Sequence, residues 1–197
     1  MSKAIRCIGI ILLCVVVVSC DVFFVSRGGR YNPLDPDNEF VAVYPEIDGH
    51  AEDTFWDEKN EFLIAQYNYA PESAIVMRFD VNDIPDDFDR IYLRLYKSFP
   101  TTPETVIRIH PIIADWTTIT DYSTLSHGDF IDVDVFTRHY PRMDPGFELI
   151  NLDPIVAGST DSIRYGIVIF SEFDRIEFHA METLDPLLKP RLYISTK

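Results

Sequence analysis

The sequence predicts an all-β protein, a two-sheet antiparallel β-sandwich of jelly-roll type with minor short helical turns. Three observations carry this prediction. From Phe40 onward, apolar and polar residues alternate over short runs, which is typical of strands with one buried face. Most of the 13 prolines lie between these runs, where turns are expected. Helical periodicity is confined to residues 82–89 and 153–157.

The alternating runs define the predicted strands. In residues 90–96, three aliphatic side chains alternate with Tyr92, Arg94 and Tyr96, so one face is expected in the core and the other in water. Ten runs are candidate strands: residues 40–44, 54–57, 62–67, 74–81, 90–96, 105–113, 130–136, 165–170, 175–180 and 191–195. Ten short strands within some 155 residues favour a sandwich.

The N-terminus reads as a targeting segment. Lys3 and Arg6 precede an unbroken apolar stretch over residues 7–18. A helix of that length spans only about 18 Å of the ~30 Å hydrocarbon core, so a spanning helix is not expected. A basic start followed by a short apolar stretch is typical of a secretory signal peptide.

Residues 17–20, Val-Val-Ser-Cys, resemble a bacterial lipobox. The resemblance implies cleavage before Cys20 and acylation of its thiol; the alternative is ordinary secretion. The predicted organisation is a lipoprotein signal peptide over residues 1–19, a tether over 20–39 and a single β-sandwich domain over 40–197. The predicted location is the bacterial cell envelope, with a lipid anchor in either membrane. After cleavage Cys20 is the only cysteine, so no disulfide is expected.

Charge and motifs narrow the function. Seventeen Lys+Arg against 32 Asp+Glu give a net charge of −15, which argues against nucleic acid as a partner. The sequence has no G-x-S-x-G, H-E-x-x-H, S-x-x-K or phosphate-binding glycine motif, and its five histidines lack ligand spacing. We therefore predict a non-catalytic protein; the alternative is a hydrolase, which only the abundance of carboxylates supports.

The abundant carboxylates leave a metal site open. Asp132 and Asp134 are expected on one face of the predicted strand 130–136, about 6.8 Å apart. Asp53 and Glu182 are candidates to join them through space. Hard carboxylate oxygens suit calcium, which is the one cofactor the sequence suggests. The alternative is a solvated acidic face.

A sugar-binding protein needs an exposed aromatic surface beside hydrogen-bonding side chains. Trp56, Tyr67 and Tyr69 cluster around two adjacent candidate strands and are flanked by acid and amide residues. They are the candidate glycan-binding residues. The alternative is that they pack in the core or at the end of the sandwich.

Several segments, taken in order, resemble the DNRLRE-type carbohydrate-binding module, a bacterial β-sandwich of secreted and surface proteins. The most specific is "RFDVNDIP" at residues 78–85, followed by "IYLRLY" at 91–96. Met181 departs from the pattern, because it stands where the family usually has arginine. Weaker matches complete a resemblance over residues 50–197: residues 51–55, 107–116, 178–182 and 190–194.

The resemblance implies a surface module that binds carbohydrate, in some members acidic polysaccharide. The expected function is therefore an envelope-anchored, non-catalytic lipoprotein that binds cell-surface or extracellular glycan. The alternative is a structural or protein-interaction module at the cell envelope with no sugar site.

Overall fold

Two antiparallel sheets account for most of the regular structure. The structure, a computed structural model, describes residues 40–52, 56–57, 61–67, 72–116, 121–125, 129–156 and 159–196, all of which belong to one unit, Pro33–Lys197. The predicted signal peptide, the tether and Cys20 lie outside the described residues. Because the described strands form two stacked sheets, the prediction of an all-β sandwich is confirmed, while the jelly-roll connection stays a prediction.

The first sheet is built around a long central strand, β6, which pairs with β12 over its first part, with β9 over its second part and with β11 at Lys97. Strand β1 pairs with β12, and β4 pairs with β11. The strands of this sheet are β1 (Phe40–Val43), β4 (Phe62–Ala65), β6 (Phe88–Lys97), β9 (Gly146–Asn151), β11 (Ile176–His179) and β12 (Arg191–Thr196).

The second sheet has the strand order β3-β2-β5-β10-β7-β8. Its strands are β2 (Pro45–Glu52), β3 (Trp56–Asp57), β5 (Ser73–Phe79), β7 (Ile107–Pro111), β8 (Thr137–His139) and β10 (Ile167–Ser171). Short helical segments connect the strands: α1 (Tyr122–Leu125), α2 (Asp153–Val156) and two 3-10 helices over Val81–Asp83 and Thr160–Ile163.

The main core lies between the sheets. Side chains of the first sheet such as Leu93 and Phe178 meet side chains of the second such as Ile75 and Ile169, and all four are buried. A second cluster covers the outer face of the second sheet, where Val76, Val168 and Phe170 pack beneath Ile112, Trp116, Leu125 and Ile131. Strands β5 and β10 are therefore buried on both faces, which explains their continuous apolar runs. The expectation of one wet face was wrong for these two strands.

Strands were found at all of the predicted positions except one. Residues 130–136 do not form a strand: Ile131 makes one isolated bridge to Ile112, and the Asp132 side chain accepts a hydrogen bond from the Asp134 amide at 3.1 Å. Such a local bond favours a turn over a ladder. The helical turn at 153–157 is confirmed as α2, whereas the turn at 82–89 is reduced to the 3-10 helix, because β6 begins at Phe88.

Candidate functional site

The outer face of the first sheet carries a continuous row of aromatic and cationic side chains. Strand alternation points these side chains away from the core, since their neighbours in sequence, such as Leu63, Leu95 and Leu192, are buried between the sheets. We call this row the aromatic ladder. Its members, in order of contact, are Phe62, His179, Tyr96, Phe147, Arg94, Tyr193, Arg191 and Tyr44.

Four rings form the first part of the ladder. The ring centroids lie 4.9 Å apart for Phe62 and His179, 5.4 Å apart for His179 and Tyr96, and 4.9 Å apart for Tyr96 and Phe147. The planes of neighbouring rings are tilted by 52°, 61° and 81°, respectively, and the last two pairs have the edge-to-face geometry that aromatic rings prefer. The surface is therefore corrugated, with ring faces and ring edges in turn.

Two guanidinium groups continue the ladder. The Cζ of Arg94 lies 3.6 Å from the ring centroid of Phe147 and 5.6 Å from that of Tyr193. The Cζ of Arg191 lies 5.9 Å from the ring of Tyr193 and 5.2 Å from that of Tyr44. These distances are within the range of cation–π attraction.

The two arginines are also direct cross-strand neighbours, since Arg191 of β12 pairs with Arg94 of β6. Like charges placed opposite each other destabilise a sheet, so this pair needs compensation. The aromatic rings supply part of it. The Nη2 of Arg191 also donates to the carbonyl oxygens of Pro186 and Leu187 at 3.0 and 3.1 Å. The ladder is thus held in place by the loop between β11 and β12.

Access to the ladder differs along its length. Arg94, Arg191 and Tyr193 are buried, whereas Tyr44 is 42% exposed. Phe62, Tyr96, Phe147 and His179 are half-buried. A ligand would therefore meet the edges and faces of these rings and the phenol of Tyr44, with the buried arginines beneath.

Besides its tyrosines and arginines, the aromatic ladder contains one more titratable side chain, the imidazole of His179. Burial lowers the pKa of His179, and the nearby carboxylates of Glu177, Glu61 and Asp185 oppose that shift. The imidazole is therefore neutral at pH 7, with its Nδ1 3.2 Å from the Thr183 hydroxyl. A neutral imidazole has one donor and one acceptor, which suits hydrogen bonding to a hydroxyl-rich ligand.

The ladder can bind a ligand by non-covalent contact. Rings accept the apolar faces of a ligand, and Tyr96, Tyr44 and His179 carry groups that can donate or accept hydrogen bonds. A few directed polar groups among aromatic side chains are typical of small-molecule and carbohydrate sites.

The predicted platform residues lie elsewhere. Trp56 is half-buried in β3 of the second sheet, and its ring contacts Trp116 edge to face with centroids 5.2 Å apart. Trp116 is 4% exposed and donates its indole N–H to the Tyr165 carbonyl. Tyr67, which follows β4 of the first sheet, is 38% exposed. Tyr69 lies outside the described residues.

The predicted metal ligands are dispersed in the part of the chain that the structure describes. Asp132 and Asp134 lie in the irregular segment after Ile131, whereas Glu182 lies in the loop after β11, near Asp48. Within the described ranges, no group of three or more His, Cys, Asp or Glu residues could hold a metal ion. Asp53 lies outside these ranges, so the calcium site stays a prediction.

Part of the ladder was visible in the sequence. The outward positions of residues 90–96 are Tyr92, Arg94 and Tyr96, and the same alternation places Arg191 and Tyr193 on one face of β12. What the sequence did not reveal is which strands are neighbours. Strand β9 was not predicted, so Phe147, which joins the rings to the arginines, was missed.

No protein-family model matches the chain, and no curated protein matches its sequence. The resemblance to the DNRLRE-type module therefore stays a prediction. Among the helices in the described ranges, none is long and apolar enough to cross a membrane.

Proposed function

We propose that the protein is a non-catalytic, lipid-anchored protein of the bacterial cell envelope whose β-sandwich binds cell-surface or extracellular glycan. The observation that carries the proposal is the aromatic ladder, which crosses five strands of the first sheet and continues to Tyr44, directly after β1, on the face away from the core. The sequence resemblance to a carbohydrate-binding module and the lipobox-like residues 17–20 support the same proposal.

The ladder has the properties that sugar recognition requires. Pyranose rings present apolar C–H faces and polar edges, so they suit a surface that alternates aromatic faces with hydrogen-bonding groups. Tyr96 and Phe147 are direct cross-strand partners and both are half-exposed, so their rings stabilise the sheet and also present aromatic surface to a ligand.

A glycan array tests the proposal directly. The full chain, purified from membranes, is applied to the array with and without calcium. We expect binding to a defined set of polysaccharides, and we expect Tyr96→Ala to lower it more than Tyr67→Ala does. Loss on Tyr67→Ala with an unaffected Tyr96→Ala would move the site to the sequence-predicted platform.

The calcium arm addresses the predicted metal site. Binding that requires calcium and is lost on Asp132→Asn and Asp134→Asn would support calcium as the cofactor. An array that is blank in both conditions contradicts glycan binding and favours the structural or protein-interaction module.

A further inference from the structure

One end of the sandwich presents large apolar side chains to solvent on three separate loops. Phe99, Tyr140, Met143 and Phe173 are 66%, 64%, 56% and 60% exposed. They belong to the loops between β6 and β7, between β8 and β9, and between β10 and β11. We call these four residues and their loops the apolar loop end.

Hydrogen bonds join the loops at this end. The Thr101 amide donates to the Met143 carbonyl at 2.9 Å, which links the first loop to the second. The Glu172 amide donates to the Val106 carbonyl at 2.8 Å, which links the third loop to the first. The four apolar side chains therefore lie at one end of the molecule.

A buried charged cluster fixes the loops from below. Lys97 is fully buried, and its ammonium donates to the Thr101 hydroxyl at 2.8 Å, to the Arg142 carbonyl and to the Met143 carbonyl at 3.1 Å. Glu148, also buried, accepts from the Arg142 amide at 2.9 Å and lies 2.9 Å from the His139 imidazole. Burying such charges is costly unless every partner is satisfied. The loop that carries Tyr140 and Met143 is thus preorganised, which lowers the entropy lost on binding.

The opposite end of the sandwich is strongly acidic. It includes the turn before β6, the start of β6 and the segment around α2, and the first strand begins there, because Phe40 pairs with Ser195 and Ser195 pairs with Arg90. Its acidic residues are Asp80, Asp83, Asp86, Asp87, Asp89, Asp153 and Asp161. Its bases are Arg90, which lies 2.9 Å from Asp153, and Arg164.

The apolar loop end is nearly balanced in charge. Glu172 lies 2.9 Å from both Arg108 and Arg138, and Glu177 lies 3.0 Å from Arg175. Its acids are Glu104, Asp144, Glu148, Glu172, Asp174 and Glu177, and its bases are Lys97, Arg108, Arg138, Arg142 and Arg175.

From this asymmetry we infer that the apolar loop end docks on a phospholipid bilayer. Aromatic side chains favour the membrane interface. Exposed Phe, Tyr and Met side chains on three loops suit shallow insertion among headgroups. An anionic leaflet repels the acidic end more strongly than the nearly balanced apolar loop end. A glycan would then reach the aromatic ladder from the side of the sandwich.

The predicted anchor brings a bilayer within reach, and this step rests on the proposed lipidation of Cys20. Nineteen residues lie between Cys20 and Phe40, and the twenty Cα–Cα steps from one to the other extend to about 70 Å. The ten residues of β6 span about 33 Å. The tether is therefore long enough to pass along the sandwich and let the far end rest on the membrane.

Tryptophan reporters test the docking. Phe99→Trp and the control Val41→Trp are prepared in the full chain and added to vesicles of phosphatidylethanolamine and phosphatidylglycerol, with and without brominated lipid. Val41 is 39% exposed and lies toward the acidic end, because it pairs with Ile194, which pairs with Ile91. The emission of Trp56 and Trp116 in the parent chain is subtracted.

We expect a blue shift and quenching by brominated lipid for Phe99→Trp, and neither for Val41→Trp. Flotation with the vesicles reports the anchor separately. A chain that floats while Phe99→Trp stays as unquenched as Val41→Trp overturns the docking alone, and a chain that does not float overturns both docking and anchor. A blue shift in the absence of vesicles assigns the apolar loop end to self-association and also overturns the docking. Glycan binding is measured independently on the array.

Discussion

At the scale of single residues, Asp48 is an ionisable group whose burial disfavours its charged form. It is 4% exposed in β2, and its carboxylate accepts a hydrogen bond from the Met181 amide at 3.0 Å. Burial raises the pKa of Asp48 from 3.8 to about 6; the Met181 bond opposes that shift, and the negative charge of Glu182 adds to it. The folded state therefore holds a proton on Asp48 up to a higher pH than the unfolded chain does.

This shift makes stability depend on pH. Between about pH 4 and pH 6 the folded protein holds a proton that the unfolded chain has lost, so stability rises as the pH falls through that window. Asp48→Asn keeps an acceptor for the Met181 amide and removes the charge. We expect it to raise the free energy of unfolding by about 1–3 kcal/mol at pH 7.5, with the gain shrinking toward pH 4. Urea denaturation across this range measures the effect, and a gain that is independent of pH would contradict the assignment.

A substitution of Trp56 separates a role in packing from a role in glycan binding. Because its ring is half-buried against Trp116, Trp56→Ala is expected to lower the free energy of unfolding by about 2–4 kcal/mol. We expect the glycan affinity of the folded variant to stay unchanged, since Trp56 lies on the second sheet and the aromatic ladder on the first. Thermal unfolding and titration with the best array ligand measure the two effects, and a stable variant that no longer binds would place the site at Trp56.

At the scale of elements, Gly49 shows how two strands and a tryptophan share one space. A Cβ at Gly49 would lie 2.5 Å from the Asp57 carbonyl oxygen and 2.6 Å from the Trp56 ring. Only glycine leaves room for β3 to fold back over β2. We expect Gly49→Ala to destabilise the protein by about 1–3 kcal/mol, as measured by urea denaturation. Unchanged stability would mean that β3 does not lie as described.

The buried charged cluster around Lys97 links strands of both sheets to the loops of the apolar loop end. Burial lowers the pKa of Lys97, and the negative charge of Glu148 opposes that shift. Lys97→Met removes three hydrogen bonds and leaves Glu148 buried beside fewer partners, so we expect a loss of about 3–5 kcal/mol. Arg175→Met, which removes the ion pair with Glu177 on an exposed side chain, is the matched control with an expected loss below about 1 kcal/mol. Equal losses of unfolding free energy in the two variants would contradict a stabilising role for the buried Lys97.

Elements with regular apolar alternation were predicted from the sequence, and two strands whose alternation is broken by polar residues were not. Strand β2 has Asp48 and His50 buried, and β9 has Glu148 buried. Their apolar pattern is therefore broken, and both strands were missed. The prediction for residues 130–136 is wrong for the opposite reason. Its alternation is regular, but Val133 is 54% exposed and a side-chain bond from Asp132 replaces the ladder.

At the scale of the whole molecule, the fold class follows from local pattern, whereas the candidate site follows from neighbour relations. Alternation and turn residues sufficed to predict two stacked sheets. The aromatic ladder depends on β6 having β9 on one side and β11 and β12 on the other. Strand order of this kind comes from contacts that are distant in sequence, and single-strand periodicity does not encode it.

Glycan binding by the outer face of the first sheet is the central claim about this molecule. The most direct measurement is isothermal titration of the strongest array ligand into the parent chain and into Phe147→Ala, which removes the ring between Tyr96 and Arg94. We predict a loss in affinity of at least about tenfold with the fold intact, as expected for a central aromatic contact. A Phe147→Ala protein that folds and binds as tightly as the parent would contradict the claim.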